Sequence, residues 1–238
     1  MVLFDVSTST VGDFLFAREA LRAFVDQLLP ADRIRLGSFG GEVAISPILT
    51  EDKAVLRRII QEALWPRNGA GTALWSGLRS GMAAVATEQG RRVLVVFSDG
   101  DDACPAELYQ RRPPVTDRAE VFRSSTTSLT KILCSTRLEV ETQTVRDEVM
   151  VYALGVPRHL SSLLTEITDV SGGGFIRLQR TDDIRAVTGK VIEELHHQYL
   201  LGFVPTVLDG KIHDLEVRMK SGGLTARVRR HYTAPIGR

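Results

Sequence analysis

The chain has 238 residues, of which 43% are hydrophobic and 25% charged, as in an ordinary globular protein that can bury a large core. A formal net charge of +1 and an aromatic content of 6% argue against a nucleic-acid-binding surface. No apolar run approaches the ~20 residues that span a bilayer, and the first residues lack the basic start and long apolar stretch of a signal peptide.

Strand and helix patterns alternate in the first part of the chain. In chain order they predict a strand over Val2–Val6, a helix over Phe14–Leu29, two strands over Arg33–Phe39 and Glu42–Ile48, a helix from an N-cap at Thr50 to about Leu64, and a helix over Ala73–Glu88. The strand pair turns at two adjacent glycines, and a proline stops the second helix.

The next two predicted strands, Arg92–Ser98 and Val149–Val156, are almost wholly apolar. Such strands are typical of a parallel sheet that helices cover on both faces. The segment between them is longer than a crossover helix requires, and it predicts an irregular insertion over about residues 101–130, followed by a helix from about Thr130 to Val145. The patterns then predict a helix over Ser161–Val170, a strand over Gly174–Leu178 and a helix over Asp182–His197.

Apolar and polar residues alternate in three runs of the tail, residues 199–205, 213–220 and 225–232, which turn signals separate. This alternation predicts three antiparallel strands. The predicted fold is therefore α/β. A doubly wound, mostly parallel sheet flanked by helices occupies residues 1–198, and a C-terminal antiparallel β extension occupies residues 199–238.

The residues best suited to chemistry follow the first predicted strand. Asp5, Ser7 and Ser9 stand at alternate positions where the chain leaves that strand, and ligands of doubly wound sheets bind at the carboxyl ends of strands. One carboxylate and two hydroxyls are hard oxygen donors, which suit Mg²⁺ or Mn²⁺ rather than zinc. By themselves they are a weak signal, because Ser and Thr after a strand often cap a helix.

Two further oxygen donors stand in comparable positions. Thr72 follows a Gly-Ala-Gly triplet, residues 69–71, directly before a predicted helix, and Asp99 follows the apolar strand Arg92–Ser98. With only two carboxylates in the set of five residues, an ion keeps positions for water and for a carboxylate from outside, which suits Mg²⁺. A strand-end capping network that holds no ion is the alternative interpretation.

The pattern DxSxS, a glycine-flanked Thr and an Asp-Gly after an apolar strand resembles the metal-ion-dependent adhesion site of von Willebrand factor type A (VWA) domains, over roughly residues 2–198. The resemblance implies a Rossmann-like VWA fold and a protein-binding module rather than an enzyme. It implies a bound Mg²⁺, with Mn²⁺ or Ca²⁺ as alternatives, that captures an Asp or Glu side chain of a partner protein. The metal-binding residues that it implies are Asp5, Ser7, Ser9, Thr72 and Asp99.

The tail is similar to that of bacterial VWFA-related proteins common in Acidobacteria, on residues Gln198–Phe203 and Arg229–Pro235. Those proteins carry β-rich segments on both sides of the VWA domain, and many are exported. Because this sequence begins four residues before Asp5, the resemblance implies a misassigned start or a truncated product. The compartment stays open, with secretion or the periplasm expected for full-length relatives.

The residues leave several alternatives open. Cys104 and Cys134 are either reduced thiols, which is the expectation for a cytoplasmic chain, or one disulfide that closes a loop of about thirty residues. Asp101 and Asp102 either help to attract a cation or, as the preferred interpretation, are solvated loop acids. Asp5 also suits an aspartate-nucleophile phosphohydrolase, although the acid/base carboxylate of that class is replaced by a serine. A structural subunit with a vestigial metal site is the third alternative.

Overall fold

The computed structural model describes residues 1–47, 49–62, 64, 71–104, 134–156 and 162–237. Most of the predicted insertion lies outside the described residues, as do residues 69 and 70 of the Gly-Ala-Gly triplet and residues 130–133 of the helix predicted after the insertion. The described residues include all five predicted metal-binding residues.

A six-stranded sheet forms the centre of the fold. Its strands are β1 (Val2–Asp5), β2 (Leu36–Phe39), β3 (Val43–Ile45), β4 (Val93–Ser98), β5 (Met150–Gly155) and β6 (Phe175–Arg177), in the order β3-β2-β1-β4-β5-β6. β3 returns antiparallel to β2 after a tight turn, whereas the other neighbours are parallel. The predicted doubly wound, mostly parallel sheet is confirmed.

Helices cover both faces of the sheet: α1 (Phe14–Gln27), α2 (Lys53–Glu62), α3 (Leu74–Ala83), α4 (Arg137–Arg146), α5 (Ser162–Ser171) and α6 (Ile184–His196). α1, α2 and α6 enclose one apolar core with Phe4 and Phe97, and α3, α4 and α5 enclose the other with Leu3 and Val96. Successive residues of β1 and β4 thus enter opposite cores, which explains why both strands are continuous apolar runs.

Two helices begin later than the sequence predicts. Thr50 is not the N-cap of α2, because its backbone pairs with Ile34, and Asp52 accepts hydrogen bonds from the first amides of the helix instead. α4 begins after Thr136, whose hydroxyl accepts from Glu139 N at 3.3 Å while the Glu139 carboxylate accepts from Thr136 N at 2.7 Å. This capping box satisfies amides that the helix itself leaves unpaired.

Cys104 and Cys134 form a disulfide, with their Cα atoms 5.9 Å apart. The expectation of two reduced thiols is therefore wrong for this structure. The bond joins the segment that follows β4 to the segment that precedes α4, where Cys134 is buried.

The predicted C-terminal antiparallel β extension is confirmed, but among the described residues it has two strands rather than the predicted three. The described part of the tail contains a two-stranded sheet of β7 (Ile212–Asp214) and β8 (His231–Thr233), and residues 199–205 form no strand. Large apolar side chains stay in solvent: Tyr199, Leu200 and Val204 are 93%, 98% and 89% exposed. Alternating polarity produces a stable strand only where neighbouring strands or a core cover its apolar face.

Among the described residues, no helix combines the length and the apolar character that crossing a bilayer requires.

Candidate metal centre

The carboxyl ends of β1 and β4 meet at one edge of the sheet. Phe4 pairs with Phe97 in parallel register, so Asp5 lies beside Ser98 and the chain reaches Asp99 one residue later. The Ser98 hydroxyl donates to Asp5 Oδ2 at 2.6 Å, although the two residues are 93 positions apart. Strand pairing therefore brings the first and last residues of the predicted set to one edge.

The DxSxS segment folds back onto Asp5. Ser7 N donates to Asp5 Oδ1 at 2.9 Å, and the hydroxyl oxygens of Ser7 and Ser9 are 3.0 Å apart. The Thr10 hydroxyl donates to the Ser7 carbonyl at 2.9 Å and holds the turn together. Asp5 and Ser7 are buried whereas Ser9 is exposed, so the three predicted donors lead from the interior to the surface.

Asp99 is as deeply buried as Asp5, each being 2% exposed. Gly100 turns the chain sharply after it with a φ of 85°, a conformation that glycine adopts without strain. Two hydrogen bonds fix the turn: Gly100 N donates to Ser98 Oγ at 3.0 Å, and Asp101 N donates to Asp99 Oδ1 at 3.2 Å. The turn at Asp99 and Gly100 is thus fixed by its own hydrogen bonds, one of which holds the Asp99 carboxylate.

The buried surroundings of Asp5 disfavour the ionised form of its carboxyl group. Burial raises the pKa of Asp5 to about 7; hydrogen bonds from Ser7 and Ser98 oppose this rise, and the negative charge of Asp99 adds to it. Two neighbouring carboxylates in a buried position concentrate negative potential, which a cation would offset.

Thr72 is buried in the segment that leads into α3. Its carbonyl accepts a hydrogen bond from Ala103 N at 2.7 Å, and the next residue, Ala73, donates from its amide to the Gly40 carbonyl at 3.0 Å. Gly40 directly follows β2, which neighbours β1, and Ala103 lies in the segment after β4. These two bonds carry Thr72 to the same edge of the sheet as Asp5 and Asp99.

Sequence reasoning gave no role to Ser98 and the wrong role to Asp102. Ser98 could have been found from strand register, since parallel pairing of two strands that end in acids places it beside Asp5. Asp102 is half-buried, and its Oδ1 accepts from Leu74 N, the first amide of α3, at 2.9 Å. The interpretation of Asp102 as a solvated acid is therefore wrong, whereas Asp101 is exposed.

The donors at this edge fit a hard divalent cation, because they are carboxylate and hydroxyl oxygens without sulfur or imidazole. Within the ranges that the structure describes, no three His, Cys, Asp or Glu side chains form a group that could hold a metal ion. A cation at this edge would therefore depend on hydroxyl ligands in addition to Asp5 and Asp99.

A family model described as von Willebrand factor type A domain matches residues 1–101, a range that includes all five predicted site residues. Residues 1–101 of the chain thus resemble a VWA domain. The sheet order and the helices on both faces are those of the VWA, Rossmann-like fold, as the sequence resemblance implied. No curated protein sequence matches the chain.

Solved structures share this VWA fold at low sequence identity. BatB, a conserved hypothetical protein from Bacteroides thetaiotaomicron, superposes with a TM-score of 0.60 at 14% identity, over 83% of this chain and 98% of that one. A von Willebrand factor type A protein from Catenulispora acidiphila gives 0.56 at 15% identity, over 80% and 42%. Proximal thread matrix protein 1 from the mussel byssus, with zinc in its MIDAS motif, gives 0.56 at 17% identity, over 80% and 46%.

Proposed function

We propose that the VWA domain is a divalent-cation-dependent protein-binding module. The observation that carries the proposal is the pair of buried carboxylates, Asp5 and Asp99, beside the linked hydroxyls of Ser7 and Ser9 at one sheet edge. VWA domains act mainly in protein interaction, and one structural relative holds zinc in the motif that this edge resembles.

The proposed ligands are Asp5, Ser7, Ser9, Thr72 and Asp99, acting directly or through water. Mg²⁺ is the proposed ion because it accepts hard oxygen ligands and keeps several waters, with Mn²⁺ or Ca²⁺ as alternatives. The bound ion would supply an open coordination position at the surface, next to the exposed Ser9.

The proposed partner is a protein that presents an Asp or Glu side chain. Two carboxylates from the chain balance the charge of one divalent ion, and hydroxyls and water add none. A third carboxylate, from outside, would therefore bind to a centre that repels it little while replacing a water molecule. The specificity for one partner protein would come from the protein surface around the ion rather than from the ion itself.

Isothermal calorimetry with Mg²⁺ tests the metal site. The wild type is expected to release or absorb heat with one site per chain, and Ser7→Ala is expected to lose it. Thr8→Ala is the matched control, because Thr8 is an exposed residue of the same turn and is outside the proposed ligand set. Equal heats in wild type and Ser7→Ala would contradict the proposal and favour a structural subunit with a vestigial site.

A peptide array tests the partner chemistry. Immobilised peptides that contain Asp or Glu are expected to retain the protein in Mg²⁺ and to release it in EDTA, whereas matched Asn or Gln peptides do not. Hydrolysis of p-nitrophenyl phosphate tests the phosphohydrolase alternative. Steady metal-dependent turnover that Asp5→Ala abolishes would replace the binding module with an enzyme.

A further inference from the structure

The segment that follows Asp99 wraps the start of α3. Asp102 Oδ1 accepts from Leu74 N at 2.9 Å, and Ala103 N donates to the Thr72 carbonyl at 2.7 Å. The two bonds lie on either side of Ala73, so residues 102 and 103 hold the backbone of Thr72 from outside α3. Asp102 takes the place of an N-cap, since Ala73 has no side chain that could serve.

The disulfide anchors the far end of the same segment. Cys104 is covalently joined to Cys134, and the next residue, Ser135, donates from its amide to Ser76 Oγ at 2.8 Å. Ser76 lies in the first turn of α3, close along the chain to Thr72. The segment from Asp99 to Cys104 is thus held at one end by the sheet and at the other by a buried covalent bond beside α3.

We infer that Asp102 and the Cys104–Cys134 disulfide form a clasp that positions Thr72 against Asp99, so that opening the disulfide weakens cation binding at this edge. The inference rests on the proposed function and adds its regulation. Asp102 is a positioning residue that acts through the backbone of Thr72.

Opening the clasp is a two-electron reduction. A dithiol donates two electrons and two protons to the sulfur–sulfur bond, which becomes the thiols of Cys104 and Cys134, while the dithiol closes to its own disulfide. The two hydrogen bonds to Thr72 and Leu74 would then have to hold a segment that is half-exposed and no longer covalently anchored. Thr72 is expected to sample positions away from Asp99, which costs cation affinity.

Calorimetry of Mg²⁺ binding to oxidised and dithiothreitol-reduced protein tests the inference. Reduction is expected to weaken binding roughly fivefold or more. The double variant Cys104→Ala/Cys134→Ala is expected to bind equally weakly with or without dithiothreitol. Circular dichroism before each titration verifies that the protein remains folded at the temperature used.

Asp52→Ala is the matched control for a merely structural effect. It removes the N-cap of α2, near the Ile34–Thr50 bridge, at the opposite end of the sheet. It is expected to lower the melting temperature and to leave Mg²⁺ affinity unchanged. A loss of affinity in this variant that parallels its loss of stability would overturn the positioning role of the clasp.

Variants of Asp102 distinguish its hydrogen bond to Leu74 N from any attraction of the cation by its negative charge. Asp102→Ala is expected to weaken Mg²⁺ binding, whereas Asp102→Asn is expected to restore it, because an amide oxygen can still accept from Leu74 N. Weak binding by both variants would instead mean that the charge of Asp102 attracts the ion.

Hydrogen exchange of the Leu74 and Ala103 amides follows the clasp without a metal. Both amides are expected to exchange faster after reduction, and unchanged exchange would overturn the clasp. Equal Mg²⁺ affinity in oxidised and reduced protein would overturn the inference alone. If the oxidised protein binds no Mg²⁺, the proposed function fails and the regulation fails with it.

Discussion

The Asp5 carboxylate accepts hydrogen bonds from two neighbours, yet it lies in a buried position that destabilises its negative charge. Each carboxylate oxygen accepts a hydrogen bond, Oδ1 from Ser7 N and Oδ2 from the Ser98 hydroxyl. Burial nevertheless raises its pKa to about 7, and the neighbouring Asp99 carboxylate contributes to the rise. This combination of fixed orientation and electrostatic cost fits the proposed cation site, where a bound cation would offset the negative charge.

This conflict predicts that Asp5→Asn makes the metal-free protein more stable while abolishing its response to Mg²⁺. The amide oxygen can still accept from Ser7 N, and the amide nitrogen can donate to Ser98 Oγ, so packing is retained without the buried charge. We expect a gain on the order of 1 kcal/mol, or roughly 2–4 °C in melting temperature. Thermal unfolding in EDTA measures it.

The same melting experiment with Mg²⁺ completes the prediction. The wild type should gain about 2.7 kcal/mol when free Mg²⁺ is one hundred times its dissociation constant, and Asp5→Asn should gain nothing. Asp101→Asn, in the exposed position of the same loop, should behave as the wild type does. A metal-free Asp5→Asn protein that melts below the wild type would contradict the proposal that the buried charge of Asp5 destabilises the metal-free fold.

At the scale of elements, the sequence predicts those features of the candidate site that follow from the pairing of parallel strands. Asp5 and Asp99 each end an apolar strand, and the carboxyl ends of parallel strands share one edge, so their meeting could be expected without a structure. Asp102 could not be interpreted in this way, because its partner is the first amide of α3, 28 positions earlier. The strand predicted over residues 199–205 is absent for a related reason: an alternating pattern does not reveal whether another element covers its apolar face.

The end of α5 offers a prediction about packing between elements. Gly172 has a φ of 75°, and a Cβ at this position would collide with the backbone of Val228 and Arg229 in the tail. Gly172→Ala is therefore expected to combine backbone strain of about 1–3 kcal/mol with displacement of the tail. Urea unfolding measures the loss, and hydrogen exchange of the Arg230 amide, which donates to the Val170 carbonyl, follows the tail.

Gly90 provides the matched control for Gly172. It also has a positive φ, 88°, but nothing lies within 4 Å of a Cβ built there. Gly90→Ala should therefore lose stability through backbone strain alone and leave exchange at Arg230 unchanged. If the two variants lose equal stability and neither alters Arg230, the contact between the α5 terminus and the tail has no energetic importance.

For the molecule as a whole, the disulfide contributes to global stability as well as to the candidate site. Its cysteines are 30 positions apart, and closing a loop of this length in the unfolded chain stabilises the fold by about 3–4 kcal/mol. Reduced protein should unfold at a correspondingly lower urea concentration than oxidised protein. Coincident unfolding curves would mean that the reduced unfolded chain keeps this loop closed by other contacts.

The tail contacts the opposite end of the sheet from the candidate metal centre. Arg229 pairs with Glu148 at 3.2 Å just before β5, and Arg230 N donates to the Val170 carbonyl near the end of α5. Both positions lie at the amino ends of the parallel strands, whereas Asp5 and Asp99 lie at the carboxyl ends. In the part of the chain that the structure describes, the six strands of the sheet and the residues of the two apolar cores all precede residue 197.

A chain of residues 1–198 should therefore fold and bind Mg²⁺ with the affinity of the full sequence. Its loss of stability should be modest, because exposed ion pairs such as Arg230–Asp169, with side chains 62% and 52% exposed, contribute only about 0–1 kcal/mol each. Calorimetry and thermal unfolding of both chains test this, with Ser7→Ala in each as the metal-binding control. A shortened chain that folds but no longer binds Mg²⁺ would show that the two ends of the sheet are coupled, and that the tail belongs to the same cooperative unit as the site.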